Sequence, residues 1–371
     1  MTKNRYSAEP GEDGKPRRLD QGTVQYLKQI DPELDNIRAG YDGGDGDMDT
    51  RDILIGNVLE ELKTRTASAA CDRNVNSIVE KICLAGSFEH VIELLRRFTP
   101  YALFLARNRH SSHILQQSTL SRLCYLLKSV GIPDDIDEDD VIAIILEFMQ
   151  PVLSDFNFSA KDMNATHVLR AVLCALAGLP VISERRGKTS KHQHSVGLSE
   201  PLDSLLLQPD GFHIDSACSF SVPDSFHELL GTTVIEGLLG LQARDLQTLV
   251  VDLSGAAVVS FIVRILFSPG LIEGGPELGD RLVRAVLEWK DDRNNDDGPT
   301  VFYAMAGERS GSFFLETMLQ CCKTDFFLDI TERAVKTRTM EYAEDNSANF
   351  VLQTILRRLL SAVRRAVGCD E

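Results

Sequence analysis

Apolar residues recur three and four positions apart through most of the chain, the period of one helical face, and strand-like alternation is nearly absent. Ile53, Val58, Leu59 and Leu62 make one such stripe, and Val91, Leu94, Leu95 and Phe98 another. The pattern predicts an all-α chain. Four stretches interrupt it: residues 1–18, rich in Lys, Glu, Gly and Pro; the Gly/Asp stretch 40–50; a long polar segment 183–223 containing Glu184-Arg185-Arg186-Gly187-Lys188; and 291–300, rich in Asp and Asn with Gly298-Pro299 near its end. Such composition favours loops. The first is expected to be a flexible N-terminus, the helical array to occupy 19–371, and 183–223 to be a loop insertion within it.

Inside the helical pattern a six-residue block recurs. Its copies are Val75-Asn76-Ser77-Ile78-Val79-Glu80, Ser111-Ser112-His113-Ile114-Leu115-Gln116, Ala165-Thr166-His167-Val168-Leu169-Arg170, Gly255-Ala256-Ala257-Val258-Val259-Ser260, Gly311-Ser312-Phe313-Phe314-Leu315-Glu316 and Ala348-Asn349-Phe350-Val351-Leu352-Gln353. Three residues before each stands Asp72, Asn108, Asp162, Asp252, Glu308 or Asp345. A side chain of that type can accept backbone N–H bonds at a helix start and complement the positive end of its dipole. The mostly small first residue allows close backbone approach. The fourth and fifth are apolar in every copy, so Ile78, Leu115, Val168, Val258, Phe314 and Val351 are expected in a core. The second and sixth lie four apart, on one face that is expected to be exposed.

Counted from the second residue, the copies are spaced 36 (76 to 112), 54 (112 to 166), 90 (166 to 256), 56 (256 to 312) and 37 (312 to 349) residues. The short intervals define the repeat, and the long ones imply insertions or a degenerate copy. A unit of that size without strands fits a few short helices stacked into a superhelix.

Charge complicates this picture. The formal net charge is −16, which argues against indiscriminate attraction to a polyanion. Much of the acid is concentrated in Asp42, Asp45, Asp47, Asp49 and Asp52, and in Asp134, Asp135, Asp137, Glu138, Asp139 and Asp140, so a basic face can survive elsewhere. The eight cysteines contain no CxxC pair and read as reduced thiols, the adjacent Cys321 and Cys322 being unable to form an ordinary disulfide. No apolar run reaches the roughly 18 residues of a membrane span and no signal-peptide core is present, so a soluble intracellular chain is expected. Asp45-Gly46-Asp47-Met48-Asp49 starts like a calcium loop but places Thr50 and Gly56 where Gly and Glu are required. His192-Gln193-His194 lacks further ligands at useful spacing. Nucleophile-elbow, zinc-protease and phosphate-loop motifs are absent. The expectation is a protein without metal, cofactor or small-molecule substrate, and not an enzyme.

The block with its preceding acid, seen as Asp345-Asn346-Ser347-Ala348-Asn349-Phe350-Val351-Leu352-Gln353, resembles the recognition helix of Pumilio repeats. In that family two side chains hydrogen-bond a base edge and the residue between them stacks on bases. The resemblance implies a right-handed α-solenoid of Pumilio-like helical repeats with insertions. Carried over by position, Asn349, Phe350 and Gln353 look like a uracil-reading set, Ser312, Phe313 and Glu316 a guanine-reading set, and Ser112, His113 and Gln116 an adenine reader. Asn76, Ser77 and Glu80 mix two codes; Thr166, His167 and Arg170 match none in common use; Ala256, Ala257 and Ser260 offer almost nothing to bond with. In that family's antiparallel orientation the ligand would read 5′-U-G, then two or more loosely specified bases, then A, with or without a following G. Arg73, Arg107, Arg109, Lys161 and Arg309 fall beside the blocks and are candidates for phosphate contact.

A second resemblance is narrower. Leu19-Asp20-Gln21-Gly22-Thr23-Val24-Gln25-Tyr26-Leu27-Lys28-Gln29, followed by Asn57-Val58-Leu59-Glu60-Glu61-Leu62, is similar to the N-terminal region of the nucleolar protein 9 family. It implies binding of single-stranded or locally unpaired precursor ribosomal RNA in the nucleolus during small-subunit ribosome maturation, with pre-ribosomal proteins as further partners. It also implies more repeats than are recognisable here, so the chain would be the N-terminal half of a longer protein. On the residues alone the competing reading is a protein-interaction scaffold of the HEAT or armadillo kind, which the acidic balance favours.

Overall fold

The computed structural model describes residues 15–39, 48–181, 219–290 and 297–367, and the regular structure among them is entirely helical. The described residues form two compact units, one up to 181 together with Phe220–Leu230, the other from Gly231 to 367. In the first unit a leading helix, Gln21–Ala39, packs on Asn76–Ala85, and the helices that follow it come in threes. They are Met48–Leu62, Thr66–Cys71 and Asn76–Ala85; then Phe88–Phe98, Ala102–Arg107 and a helix running through Ser111–His113, Ile114–Leu120 and Ser121–Ser129; then Glu138–Ser154, Phe156–Lys161 and Ala165–Leu176. The second unit repeats the scheme. Thr233–Leu239 leads to Ala243–Val251 and Leu253–Phe267, Gly275–Leu287 to Asp297–Gly307 and Arg309–Cys321, and Thr324–Ile330 to Thr339–Glu344 and Ala348–Val367.

Every recurring block lies on the third helix of such a set, and these third helices stack. Asn76–Ala85 packs on Ile114–Leu120 and the latter on Ala165–Leu176; in the second unit Leu253–Phe267 packs on Arg309–Cys321, which packs on Ala348–Val367. The all-α repeat architecture anticipated from the spacing is therefore present. Ile78, Leu115, Val168, Val258, Phe314 and Val351 are all at most 2% exposed, so the block's apolar positions form the seam of each stack.

Local chemistry explains the geometry of the block. In five repeats the acid or Asn three residues upstream accepts backbone N–H bonds: Asp72 from Asn74 at 2.8 Å, Asn108 from His110 at 2.9 Å, Asp162 from Ala165 at 2.8 Å, Asp252 from Gly255 at 2.9 Å and Asp345 from Ala348 at 2.8 Å. Glu308, one methylene longer, makes no such capping bond. The first block position sits against the carbonyl six residues earlier. A Cβ on Gly255 would meet Leu249 O at 2.3 Å and one on Gly311 would meet Met305 O at 2.4 Å. Ser111 exploits the same approach, its hydroxyl donating to Leu105 O at 2.8 Å.

The Ile114–Leu120 stretch is π-helical, with Thr119 Oγ1 donating back to Ile114 O at 3.2 Å. Its extra residue has a consequence for the stack. Arg122 donates from Nε and Nη2 to Gly86 O at 3.2 and 3.1 Å, closing the C-terminus of the preceding third helix, and Arg358 does the same to Cys322 O at 2.6 Å. Gly86 and Cys322 are equivalent, each eleven residues after its block begins (75 to 86, 311 to 322), whereas the arginines lie eleven (111 to 122) and ten (348 to 358) residues into theirs. The π turn absorbs that difference.

Three expectations change. Met48–Leu62 begins inside the 40–50 stretch expected to be loop. Asp297–Gly307 likewise starts within 291–300: the Gly298-Pro299 pair forms a helical first turn, where proline's missing N–H costs nothing and Gly298 lies against Trp289. Ile53 is 63% exposed, because the buried stripe of its helix runs through Ile55, Val58, Leu59 and Leu62. Residues 1–14 of the expected flexible N-terminus and 182–218 of the expected insertion lie outside the described residues. The strands of chain flanking the latter meet, Phe220 N–H donating to Gly178 O at 2.8 Å.

Candidate nucleic-acid interface

On each third helix the second and sixth block residues share one face, with the third residue beside them. The structure presents these sets unequally. Phe350 is 50% exposed, with Gln353 exposed and Asn349 half-buried next to it. Asn349 Nδ2 donates to Asp345 O at 2.7 Å, Gln353 Nε2 donates to Asn349 Oδ1 at 3.1 Å, and Arg357 Nη2 donates to Gln353 Oε1 at 3.3 Å. Asn76 and Glu80 are half-buried and Ser77 exposed, with Asn76 Oδ1 accepting from Ser77 N–H at 2.9 Å.

Elsewhere the face expected to be exposed is largely covered. Ser112 and Gln116 are 6% and 5% exposed, Thr166 and Arg170 5% and 9%, Ala256 and Ser260 2% and 0%, and Ser312 4%. Stacked helices stand only about 8–10 Å apart, so short side chains on the floor between them are walled in by their neighbours. The middle residues are more open: His113 is exposed, and His167, Ala257 and Phe313 are half-buried. Ser112 and Ser312 hydroxyls donate to Arg109 O at 3.4 Å and Arg309 O at 2.9 Å. Arg170 Nη2 lies 3.0 Å from His167 Nδ1, while Arg170 Nε and Thr166 Oγ1 are buried without a partner.

Glu316 is the electrostatic exception. Burial raises its carboxyl pKa to about 7, partly offset by the Arg357 charge on the neighbouring helix. It is the only block acid in the second unit, and it sits between Ser260 and Gln353 in the order of the stack.

The five flanking cations divide by position. Arg73, Arg109 and Arg309 each follow the capping residue directly and are exposed. Arg107 and Lys161 precede it. Arg107 is occupied by the following repeat, ion-paired with Asp155 and stacked over Phe158 at 4.0 Å from the ring centre. Met163 and Leu253, 75% and 59% exposed, take the place of the arginine in the third and fourth repeats. Sequence reasoning passed over Arg357, although its four-residue spacing from Gln353 marks it as the next turn of the same face.

No group of three His, Cys, Asp or Glu among the described residues could hold a metal ion, and no single described helix is long and apolar enough to cross a membrane. His192-Gln193-His194 lies outside the described residues.

Comparison with known proteins gives this face its context. The chain is 22% identical over 359 residues to nucleolar protein 9 of Pyrenophora tritici-repentis, covering 92% of this chain and 48% of that protein. It is 21% identical over 347 residues to Pumilio homolog 23 of Arabidopsis thaliana, covering 89% and 42%. The chain thus spans about half the length of the curated relatives it matches. In fold it is similar to a solved structure titled as APUM23 with GGAGUUGACGG, at TM-score 0.67 and 19% identity over 91% of this chain and 56% of that one. It is also similar to PUF-6 in complex with 5BE13 RNA, at TM-score 0.53 and 14% identity over 91% and 73%. Residues 65–367 match the NOP9-like PUF repeat domain, spanning every third helix and its block, and the chain belongs to that family.

Proposed function

We propose that the protein is a non-catalytic binder of single-stranded or locally unpaired RNA, reading bases with the block side chains. The observation that carries this is the Asn349, Phe350 and Gln353 set: two linked amides flank an aromatic ring that is half exposed on a repeat helix. Amides suit a base edge with both donor and acceptor, and an exposed ring suits stacking, which contributes about 1–3 kcal/mol per base. The exposed Arg73, Arg109 and Arg309, recurring one residue after the cap, suit phosphates. The RNA-bound Pumilio proteins of similar fold and the relatives named nucleolar protein 9 support a precursor ribosomal RNA ligand, small-subunit ribosome biogenesis and a nucleolar location.

The net charge of −16 and the covered floor of the interior repeats favour a second reading, a helical scaffold for a protein partner. A salt-titrated binding assay with U- and G-containing oligonucleotides separates the two. RNA binding through the blocks requires affinity that falls with salt and drops at least tenfold when Asn349, Phe350 and Gln353 are all replaced by Ala. Binding that is absent at low salt, or indifferent to the triple replacement, rules it out.

A further inference from the structure

Resting on that base-reading proposal, we infer that Arg357 is a positioning and specificity residue that couples the fifth and sixth repeats, orienting the Gln353 amide and holding Glu316 as a carboxylate. Neither task belongs to a base-reading position, and Arg357 stands one helical turn beyond the block.

The first task follows from the direction of the hydrogen bonds. Asn349 Nδ2 is committed to Asp345 O at 2.7 Å, which turns Oδ1 toward the next helical turn, where it needs a donor. Gln353 supplies Nε2 at 3.1 Å, leaving its own Oε1 facing Arg357, which donates at 3.3 Å. The chain runs one way, from Arg357 to the backbone, and only one orientation of the glutamine amide satisfies both ends. Arginine has no acceptor and cannot accommodate the flipped amide. Without the guanidinium the amide is held at one end alone.

The second task follows from where Glu316 sits. It is half-buried on Arg309–Cys321, with Ala243–Val251, Leu253–Phe267, Asp297–Gly307 and Ala348–Val367 packed around that helix. Those helices carry Arg244, Asp245, Arg264, Tyr303, Arg357 and Arg358, and of these Arg357 alone acts on Glu316. Arg358 is turned away, donating to Cys322 O at 2.6 Å. Burial pushes Glu316 up to about 7 even with Arg357 in place, so near neutrality its ionisation depends on that one cation. The ionisation decides what the repeat can read. A carboxylate accepts two bonds from an edge with two adjacent donors, such as guanine N1–H and N2–H, whereas the protonated acid presents one donor and rejects that edge.

Two variants test both roles: Arg357→Met keeps the aliphatic stem and removes charge and donor together, and Arg357→Lys keeps a charge and a donor that cannot accept. The Glu316 carboxyl is titrated by NMR in RNA-free protein, and guanine-over-adenine discrimination at the base read by the fifth repeat is then measured between pH 6 and 9. In the parent protein discrimination should fall as pH drops through about 7, because the carboxylate is lost there. Arg357→Met should raise the Glu316 midpoint and carry the discrimination profile to higher pH with it, and should also cut uracil preference at the sixth repeat several-fold. Arg357→Lys should restore both the Glu316 midpoint and the uracil preference. An unchanged Glu316 titration in Arg357→Met overturns the inference whether or not RNA binds. Failure of the parent protein to bind any RNA would overturn the base-reading proposal instead, leaving the titration to decide the electrostatic coupling.

Discussion

The close approach at the first block position makes a sharp claim about stability. Replacing Gly255 by Ala should stabilise an ordinary helix by up to about 1 kcal/mol, because glycine loses more backbone freedom on folding. Here the new methyl carbon would lie 2.3 Å from Leu249 O and 2.7 Å from Leu249 Cδ1. An ordinary contact begins near 3.4 Å, so about 1 Å of separation has to open between the short second helix and the block helix. The carbonyl belongs to Ala243–Val251 and cannot rotate aside without breaking that helix. Moving the block helix instead pulls the Ser254 and Gly255 N–H groups, now 3.0 and 2.9 Å away, off their Asp252 cap. Overpacking of this kind costs about 1–3 kcal/mol and the cap about 1 kcal/mol, so a net loss of roughly 1–3 kcal/mol remains after the helix-propensity gain. Urea unfolding followed by far-UV circular dichroism measures it. A loss of 2 kcal/mol at a slope of about 3 kcal/mol/M lowers the midpoint by roughly 0.7 M. Gly231 supplies the control: it also lies in a helix, but nothing stands within 4 Å of a Cβ built on it, so Gly231→Ala should raise the midpoint. A Gly255→Ala midpoint at or above that of the parent protein, with Gly231→Ala behaving as stated, would refute the packing argument.

Four further outcomes follow. Asp252→Ala should cost about 1 kcal/mol by the same unfolding assay, since two N–H groups lose their acceptor, whereas Glu308→Ala should fall within about 0.5 kcal/mol of the parent because Glu308 makes no capping bond. Arg107→Ala should lower stability and leave the salt dependence of RNA affinity unchanged, while Arg73→Ala or Arg109→Ala should each reduce the salt slope by about one phosphate contact. Removing Thr119, which takes the extra residue out of the π turn, should place Arg122 ten residues into its block as Arg358 is, keep it on Gly86 O, and lower the midpoint less than Arg122→Ala does. Glu316 gives a pH signature: its folded pKa is raised from 4.5 to about 7, so its contribution is fully present below about 4.5 and is lost as pH rises through 7. Glu316→Gln should therefore be more stable than the parent above pH 7 by roughly 1–2 kcal/mol, discounted for partial exposure, with the difference narrowing toward pH 5.

What could be read in advance, and what could not, depends on whether a feature is local. The Asp or Asn three residues before each block announces a cap because its partners lie within three residues, and Asp72, Asn108, Asp162, Asp252 and Asp345 all serve that way. Apolar positions three and four apart announce a seam for the same reason, and Ile53 misleads only because a neighbouring stripe through Ile55 and Val58 satisfies the period better. The degree of exposure of the block face is not local. Ser312 and Asn349 occupy the same place in their repeats, yet Ser312 is 4% exposed while Asn349 is only half-buried. Which helices flank a given block is settled by the stack, and no window of one repeat contains it.

The same distinction separates a code carried by a block from a site carried by the stack. The proposed guanine set takes its acid from its own block, but the charge of Glu316 near neutral pH is tied to Arg357, 41 positions away (316 to 357) and on the next block helix. Arg122 and Arg358 likewise belong to one repeat by sequence and to the preceding one by function, each closing the C-terminus of the block helix before its own. Stacking thus lets one repeat close the helix end of its neighbour and bias its neighbour's charge. A base-reading position in such an array is completed by the following repeat, and exchanging one repeat's three reading residues without the next helix's arginine should transfer the hydrogen-bonding groups without their charge state.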